Sequence, residues 1–131
     1  MRSYVARTKI AASIVPDQYT TVANGASVDL SGFDANVIEI TTGAFDGSAP
    51  TAAAKIQDSV DGSSFADVAD ANLDGVTGNP AGFALAASSV KQIGYLGNKQ
   101  YVRVILSATS GTTPIIRVGA NVIRTEPKQV P

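Results

Sequence analysis

The chain contains no cysteine, no histidine and no tryptophan. Without thiols it forms no disulfide, no cysteine metal site and no thiolate nucleophile, so its redox compartment stays open. Without imidazole it lacks the usual general base near neutral pH and the commonest metal ligand. No GxSxG or P-loop pattern is present either. The familiar nucleophilic, zinc and phosphate-binding arrangements therefore fall away together, and neither enzymatic activity nor a cofactor is expected. Long apolar runs are also missing, the longest falling far short of the roughly 20 residues that a spanning helix needs, so no membrane segment is expected. The start, MRSYVARTKIAASIVPDQ, is basic, but Arg7 and Lys9 interrupt any hydrophobic region, which argues against a cleaved signal peptide.

What is present is enough for a core. Hydrophobic residues make up 44% of the 131 positions against 16% charged, too apolar for a disordered chain and of a size for one domain. The net charge of −1 conceals segregation. Residues 1 to 10 carry Arg2, Arg7 and Lys9 and no acid. Residues 11 to 74 carry ten acids against Lys55 alone, and residues 75 to 131 carry six bases against Glu126 alone. Two explanations stand side by side: acidic turns and basic strands pair off within one domain, or acidic surface meets basic surface between copies. Nucleic acid is disfavoured, because there is neither a basic excess nor a dense Lys/Arg cluster interleaved with aromatics.

Period-two alternation recurs along the chain. In KQYVRVILSA, residues 99 to 108, Val102, Val104, Leu106 and Ala108 share one face; in IIRVGANVIR, 115 to 124, Ile116, Val118, Ala120 and Val122 do. The intervening SGTTP predicts a hairpin joining these two strands. Further strands are predicted at 8 to 15, 26 to 30, 36 to 42 and 51 to 60, with short pieces near Phe65, Phe83 and Ile93. Turn dipeptides such as Asn24-Gly25, Ser31-Gly32, Asp46-Gly47, Asp61-Gly62, Asp74-Gly75 and Gly97-Asn98 punctuate them at nearly regular spacing. The pattern predicts an all-β, antiparallel β-sandwich over residues 8 to 124, with at most one short helical turn and no visible internal repeat. Residues 1 to 7 and 125 to 131 lack alternation and are expected to form extended N- and C-terminal arms.

Five aspartates crowd IQDSVDGSSFADVADANLDG, residues 56 to 75. Asp70-Ala-Asn72-Leu-Asp74-Gly75 matches the first half of a calcium loop, but the position of the bidentate Glu holds Ala81 and no helix follows. No metal site is therefore assigned, and the acids are expected to make turns. Asp61-Gly62 should form a hairpin tip, with Phe65 returning inward. A glycosidase pair is disfavoured, since nothing indicates a cleft flanked by two carboxylates and the usual sugar platform, tryptophan, is absent.

The segments KIQDSVDGSSFADV, IGYLGNKQYVRVIL and SGTTPIIRVGANVI, with VANGASVDLSGFDANVIEITTGAF before them, resemble small structural proteins of tailed-bacteriophage virions. That resemblance implies a capsid decoration (cement) or minor head protein, made in the host cytoplasm and bound to the major capsid protein on the virion surface. Such proteins are homo-oligomers, and a trimer would match three-fold lattice positions. The same strand and turn residues, Ser59, Asp61, Gly62, Phe65 and Tyr101 to Val104, are similar to discoidin-type jelly rolls, which makes the sandwich jelly-roll-like and leaves a carbohydrate-binding module as the alternative. No functional residue carries over from either. For capsid contact the residues put forward are Arg2, Tyr4, Arg7 and Lys9 at the front and Arg124 and Lys128 behind, as cations facing an acidic surface.

Overall fold

The computed structural model describes residues 8–127. They form β1 (Lys9–Tyr19), β2 (Ala23–Asn24), β3 (Val28–Asp29), β4 (Phe33–Ser59), β5 (Ala66–Asp67), a single 3-10 turn (Asp70–Asn72), β6 (Leu73–Asp74), β7 (Phe83–Leu85), β8 (Val90–Tyr95) and β9 (Tyr101–Pro127). Every pairing is antiparallel. The predicted all-β, sandwich-like class is what the chain adopts.

Two strands of 27 residues, β4 and β9, organise the rest. At about 3.3 Å per residue each would span about 90 Å if straight, far more than a domain of this size holds, so both must bend. They bend together. Gly47 and Ala49 have φ of 113° and 50°, Gly111 and Thr113 of 113° and 46°, and each pair is followed by proline, Pro50 or Pro114. The two bends interlock: a Cβ on Gly47 would lie 2.7 Å from the Thr112 carbonyl oxygen, and one on Gly111 2.8 Å from that of Ser48. Only glycine fits either place. This overturns the expected hairpin at SGTTP. Residues 101 to 110 and 115 to 124 do not pair with each other; they are two limbs of β9, pairing with residues 51–59 and 36–46 of β4. The left-handed bend at Gly111 and Thr113 redirects the chain from one layer to the other instead of reversing it. Residues 36 to 42 and 51 to 60, expected as separate strands, are likewise limbs of β4.

The folded ribbon of β4 and β9 gives two layers. One runs β1, the second limb of β9, the first limb of β4, β8, β6; the other runs β2 and β3, the first limb of β9, the second limb of β4, then β5 and β7. The arrangement has an approximate two-fold about the paired bends. Each half contributes an outer strand, a return strand and a long strand, and buried residues recur at matched positions: Ile38 with Val102, Ile40 with Val104, Thr42 with Leu106, Ala52 with Ile116, Ala54 with Val118, Ile56 with Ala120. The flanking strands follow suit, with Val28 and Leu30 answering to Ile93 and Tyr95. No internal repeat is visible in the sequence. The structure contains one, carried by strand register and burial, with Gly-x-x-Pro at both bends the clearest shared sequence.

The side chains of both inner faces make one continuous core. Ile38, Ile56, Ile93, Val102, Val104, Leu106, Ile116 and Val122 are fully buried there. Each such aliphatic chain is worth roughly 1.5–3 kcal/mol relative to exposure. The outer edge of β1 is blunted by Pro16 and by register shifts between Ala12 and Ile14 and between Ile14 and Asp17, devices that discourage edge pairing. At the other end of the chain the expected tail starts too early, since Thr125 and Pro127 still pair with Ala35 and Phe33.

Candidate functional site

Of the six cationic or aromatic residues put forward for partner contact, Arg2, Tyr4, Arg7 and Lys128 lie outside the described residues. Lys9 and Arg124 are brought together as register partners between β1 and β9. Their roles differ. Lys9 is exposed. Arg124 reaches across the layers: its Nη1 donates to the Asp29 carbonyl oxygen at 3.0 Å and its guanidinium lies 5.3 Å from the centre of the Phe33 ring. It ties the end of β3 to the start of β4, which is a structural duty.

Beside Arg124 the sandwich opens. A cleft of about 380 Å³ lies between the β3–β4 turn and the β8–β9 turn, two segments equivalent under the approximate two-fold, with Ser31, Asp34 and Asn36 on one side and Asn98, Lys99 and Gln100 on the other. The Asn36 side-chain oxygen is shielded from solvent without a hydrogen-bond partner, as is Nε of Arg124, its cross-strand neighbour. Tyr95 forms part of the lining, and its hydroxyl donates to Asp58 at 2.7 Å. Lys99 Nζ stands 3.8 Å from the other Asp58 oxygen. Burial, reinforced by the Asp58 carboxylate, pushes the Tyr95 phenol well above its ordinary range. It therefore holds its proton and serves as a donor to a buried carboxylate. The equivalent positions in the other half, Leu30 and Val122, are apolar.

Of the five aspartates expected to make turns, Asp61 and Asp70 do so, whereas Asp58 is buried in β4 and Asp67 and Asp74 lie in the short strands β5 and β6. Asp61 accepts backbone N–H bonds from Ser63 and Ser64 and a hydroxyl bond from Ser59. Those bonds, the Ser64 amide foremost, lower its pKa to about 2. Asp29 caps Ser31, whose backbone amide lowers its pKa in the same way. Asp70, the first residue of the calcium-like stretch, directs both oxygens at 2.8 Å onto the amides of Gly78 and Asn79. Among the described residues no group of three or more acidic, histidine or cysteine side chains stands close enough to hold a metal ion.

Asn79, in a Gly78-Asn79-Pro80 stretch whose composition predicts only a turn, is completely buried. Its side chain accepts from Ile56 N at 2.7 Å and donates to the carbonyls of Ile56 at 2.9 Å and Val68 at 2.7 Å. It thus completes the edge of β4 where β5 ends and β7 has not begun. Phe65 corrects another expectation. It does not turn inward but lies on the outer face under Arg103, whose guanidinium is 4.1 Å from the ring centre. Arg103 also donates twice to Gln57 Oε1, Gln57 donates to Asp67, and Lys55 bonds Asp67. Two ion pairs, Arg117 with Asp46 and Lys99 with Asp58, join the basic third of the chain to the acidic middle. Intradomain pairing accounts for that part of the charge segregation.

Comparison with models of protein families, with curated proteins and with solved structures finds no match.

Proposed function

We propose that this chain is a structural component of a tailed-phage virion, a decoration or cement protein seated on the major capsid protein at the capsid surface. One observation carries the reading beyond the resemblance. Asp61 and Asp70 are committed to backbone amides, and Asp46, Asp58 and Asp67 to side chains of the same chain, while large apolar side chains, Ile10, Val15, Val22, Val60, Val90 and Leu96, stand 58–68% exposed. A chain so arranged offers contact surface rather than a reactive centre. The order of strand segments in the two layers supports the jelly-roll form of the sandwich.

Strength in this reading comes from number. A standard interface buries roughly 1,200–2,000 Å², and a homo-oligomer engaging several shell subunits raises the effective concentration of each contact. A trimer would suit three-fold lattice positions. The test is to mix purified protein with expanded heads that lack it and sediment them. Saturable co-sedimentation that resists mild heating supports the proposal. Protein left in the supernatant, with a glycan array lighting up and a free monosaccharide competing, would replace it with the carbohydrate-binding alternative.

A further inference from the structure

We propose that Asn24-Gly25 is a self-modifying site gated by the fold: held against β9 it is inert, and once released it converts itself to isoaspartate and keeps that edge of the sheet from closing again. Asn24 is the one asparagine in the chain followed by glycine. Asparagine is thermolabile because the backbone nitrogen of the next residue can attack its side-chain carbonyl carbon, and a following glycine, with no side chain in the way, lets that nitrogen approach. The nitrogen gives up its proton, ammonia leaves, and a succinimide ring remains. Water then opens the ring at either carbonyl, giving aspartate or isoaspartate, whose main chain is longer by one carbon. Nothing but water is consumed. The other asparagines do not compete: Asn79 precedes proline, which has no N–H, and Asn36, Asn72, Asn98 and Asn121 precede residues whose side chains crowd the attacking nitrogen.

In the folded chain this route is shut. Asn24-Gly25, which reads locally as a turn, runs along the edge of the second layer instead, with Ala23 and Asn24 paired to Leu106 and Ile105. The Asn24 side chain is exposed, but the nitrogen that would attack it is engaged: Gly25 N–H donates to the Val104 carbonyl at 2.9 Å. Ala26 secures the next step, its N–H donating to the Ser13 carbonyl at 2.7 Å and its own carbonyl accepting from the Ser13 hydroxyl at 2.8 Å. The buried Ser13 hydroxyl also accepts the Val104 N–H at 2.9 Å, so a single side chain of β1 clasps the β2–β3 segment to β9. Space is closed as well. A Cβ on Gly25 would overlap the Val104 carbonyl oxygen and come within 2.5 Å of Ser13 Oγ. Isoaspartate at position 24 feeds an extra backbone carbon into that contact, so the modified edge does not reseat. The inference does not rest on the virion reading, because it concerns the isolated chain.

Opening the segment forfeits three hydrogen bonds, each worth about two- to tenfold in the opening equilibrium, so the folded chain should react about 10- to 1,000-fold more slowly than a peptide free to cyclise. The test incubates the full chain and a synthetic peptide of residues 20–28 in the same mildly alkaline buffer and follows position 24 by peptide-mapping mass spectrometry. The slowing should agree within about threefold with the protection of the Gly25 amide from hydrogen exchange, because one opening exposes both. Ser13→Ala removes the clasp and should speed the reaction about threefold or more. Should that variant fail to fold, the wild-type comparison of deamidation with exchange decides alone. The isoaspartate form, separated by ion exchange, should leave the Ala26 amide unprotected. A folded chain that deamidates as fast as the peptide overturns the inference, as do a slowing that disagrees with Gly25 protection, an unchanged rate in folded Ser13→Ala, or an isoaspartate form whose Ala26 amide stays protected.

Discussion

Replacing Asn79 with alanine should cost this fold a large part of its stability. The side chain is completely buried and makes three hydrogen bonds to the backbone of Ile56 and Val68. Alanine leaves the Ile56 N–H and the Val68 carbonyl without partners, whereas the Ile56 carbonyl keeps its bond from Val68 N at 3.0 Å. Each orphaned buried group costs about 1–3 kcal/mol, and the vacated volume adds to that, giving about 3–5 kcal/mol in all. A domain of this size has only about 5–15 kcal/mol to lose. With no tryptophan in the chain, urea unfolding is best followed by far-ultraviolet circular dichroism. At a slope of about 1–3 kcal/mol per molar, the midpoint should fall by more than about 1 M. Asn79→Asp keeps the acceptor for Ile56 N but sets a carboxylate against two carbonyls, so it should be at least as damaging at pH 7 and recover in part as acid protonates it. A loss below about 1 kcal/mol for the alanine variant, or a wild-type midpoint for the aspartate variant at pH 7, would refute the idea that this amide completes the edge of β4.

Three further outcomes follow from the geometry. Thr113→Gly should stabilise the protein by about 0.5–1 kcal/mol in thermal unfolding, because a β-branched residue at φ 46° bears more strain than glycine loses in chain entropy. Tyr95→Phe should destabilise by about 1.5–3 kcal/mol, since Asp58 then keeps only Lys99 at 3.8 Å, while Tyr95→Phe combined with Asp58→Val, which copies the apolar character of the other half, should recover much of the loss. For Asp61 the folded pKa lies below the unfolded value of about 3.9, so its turn contribution is complete above that pH and fades as pH falls toward about 2. A carboxyl carbon titration by NMR should give a midpoint near 2 for Asp61, and one near 4 would show the Ser63 and Ser64 bonds to be absent in solution.

Much of the fold was legible because half-buried strands alternate. Val102, Val104 and Leu106 and Ile116 to Val122 announce inward faces wherever they pair, while the register shift beyond Leu106 leaves the expected Ala108 exposed, and Asp61-Gly62 makes its turn from local bonds alone. Partner choice was not legible. Gly-x-x-Pro at 47–50 and 111–114 reads locally as a hairpin turn, and only the reciprocal packing of two such bends keeps each strand continuous. The repeat is invisible in the sequence because it is held in burial, where isoleucine, valine, alanine and threonine exchange freely, and scarcely in identity. Asn79 carries no signal, since an amide completing a sheet edge and an amide in a loop have the same sequence context. The proposed contact residues fared unevenly for the same reason: charge can be counted along a chain, but whether Arg124 faces a partner or ties β3 to β4 depends on what the fold places beside it.

The proposal that this chain works as bound surface on a capsid is tested most directly by counting its copies in purified virions of a tailed phage found to carry its gene. Quantitative mass spectrometry should find it in a fixed stoichiometric ratio to the major capsid protein, retained after washing in high salt. Virions that lack the chain while infected cells contain it in abundance would contradict the account.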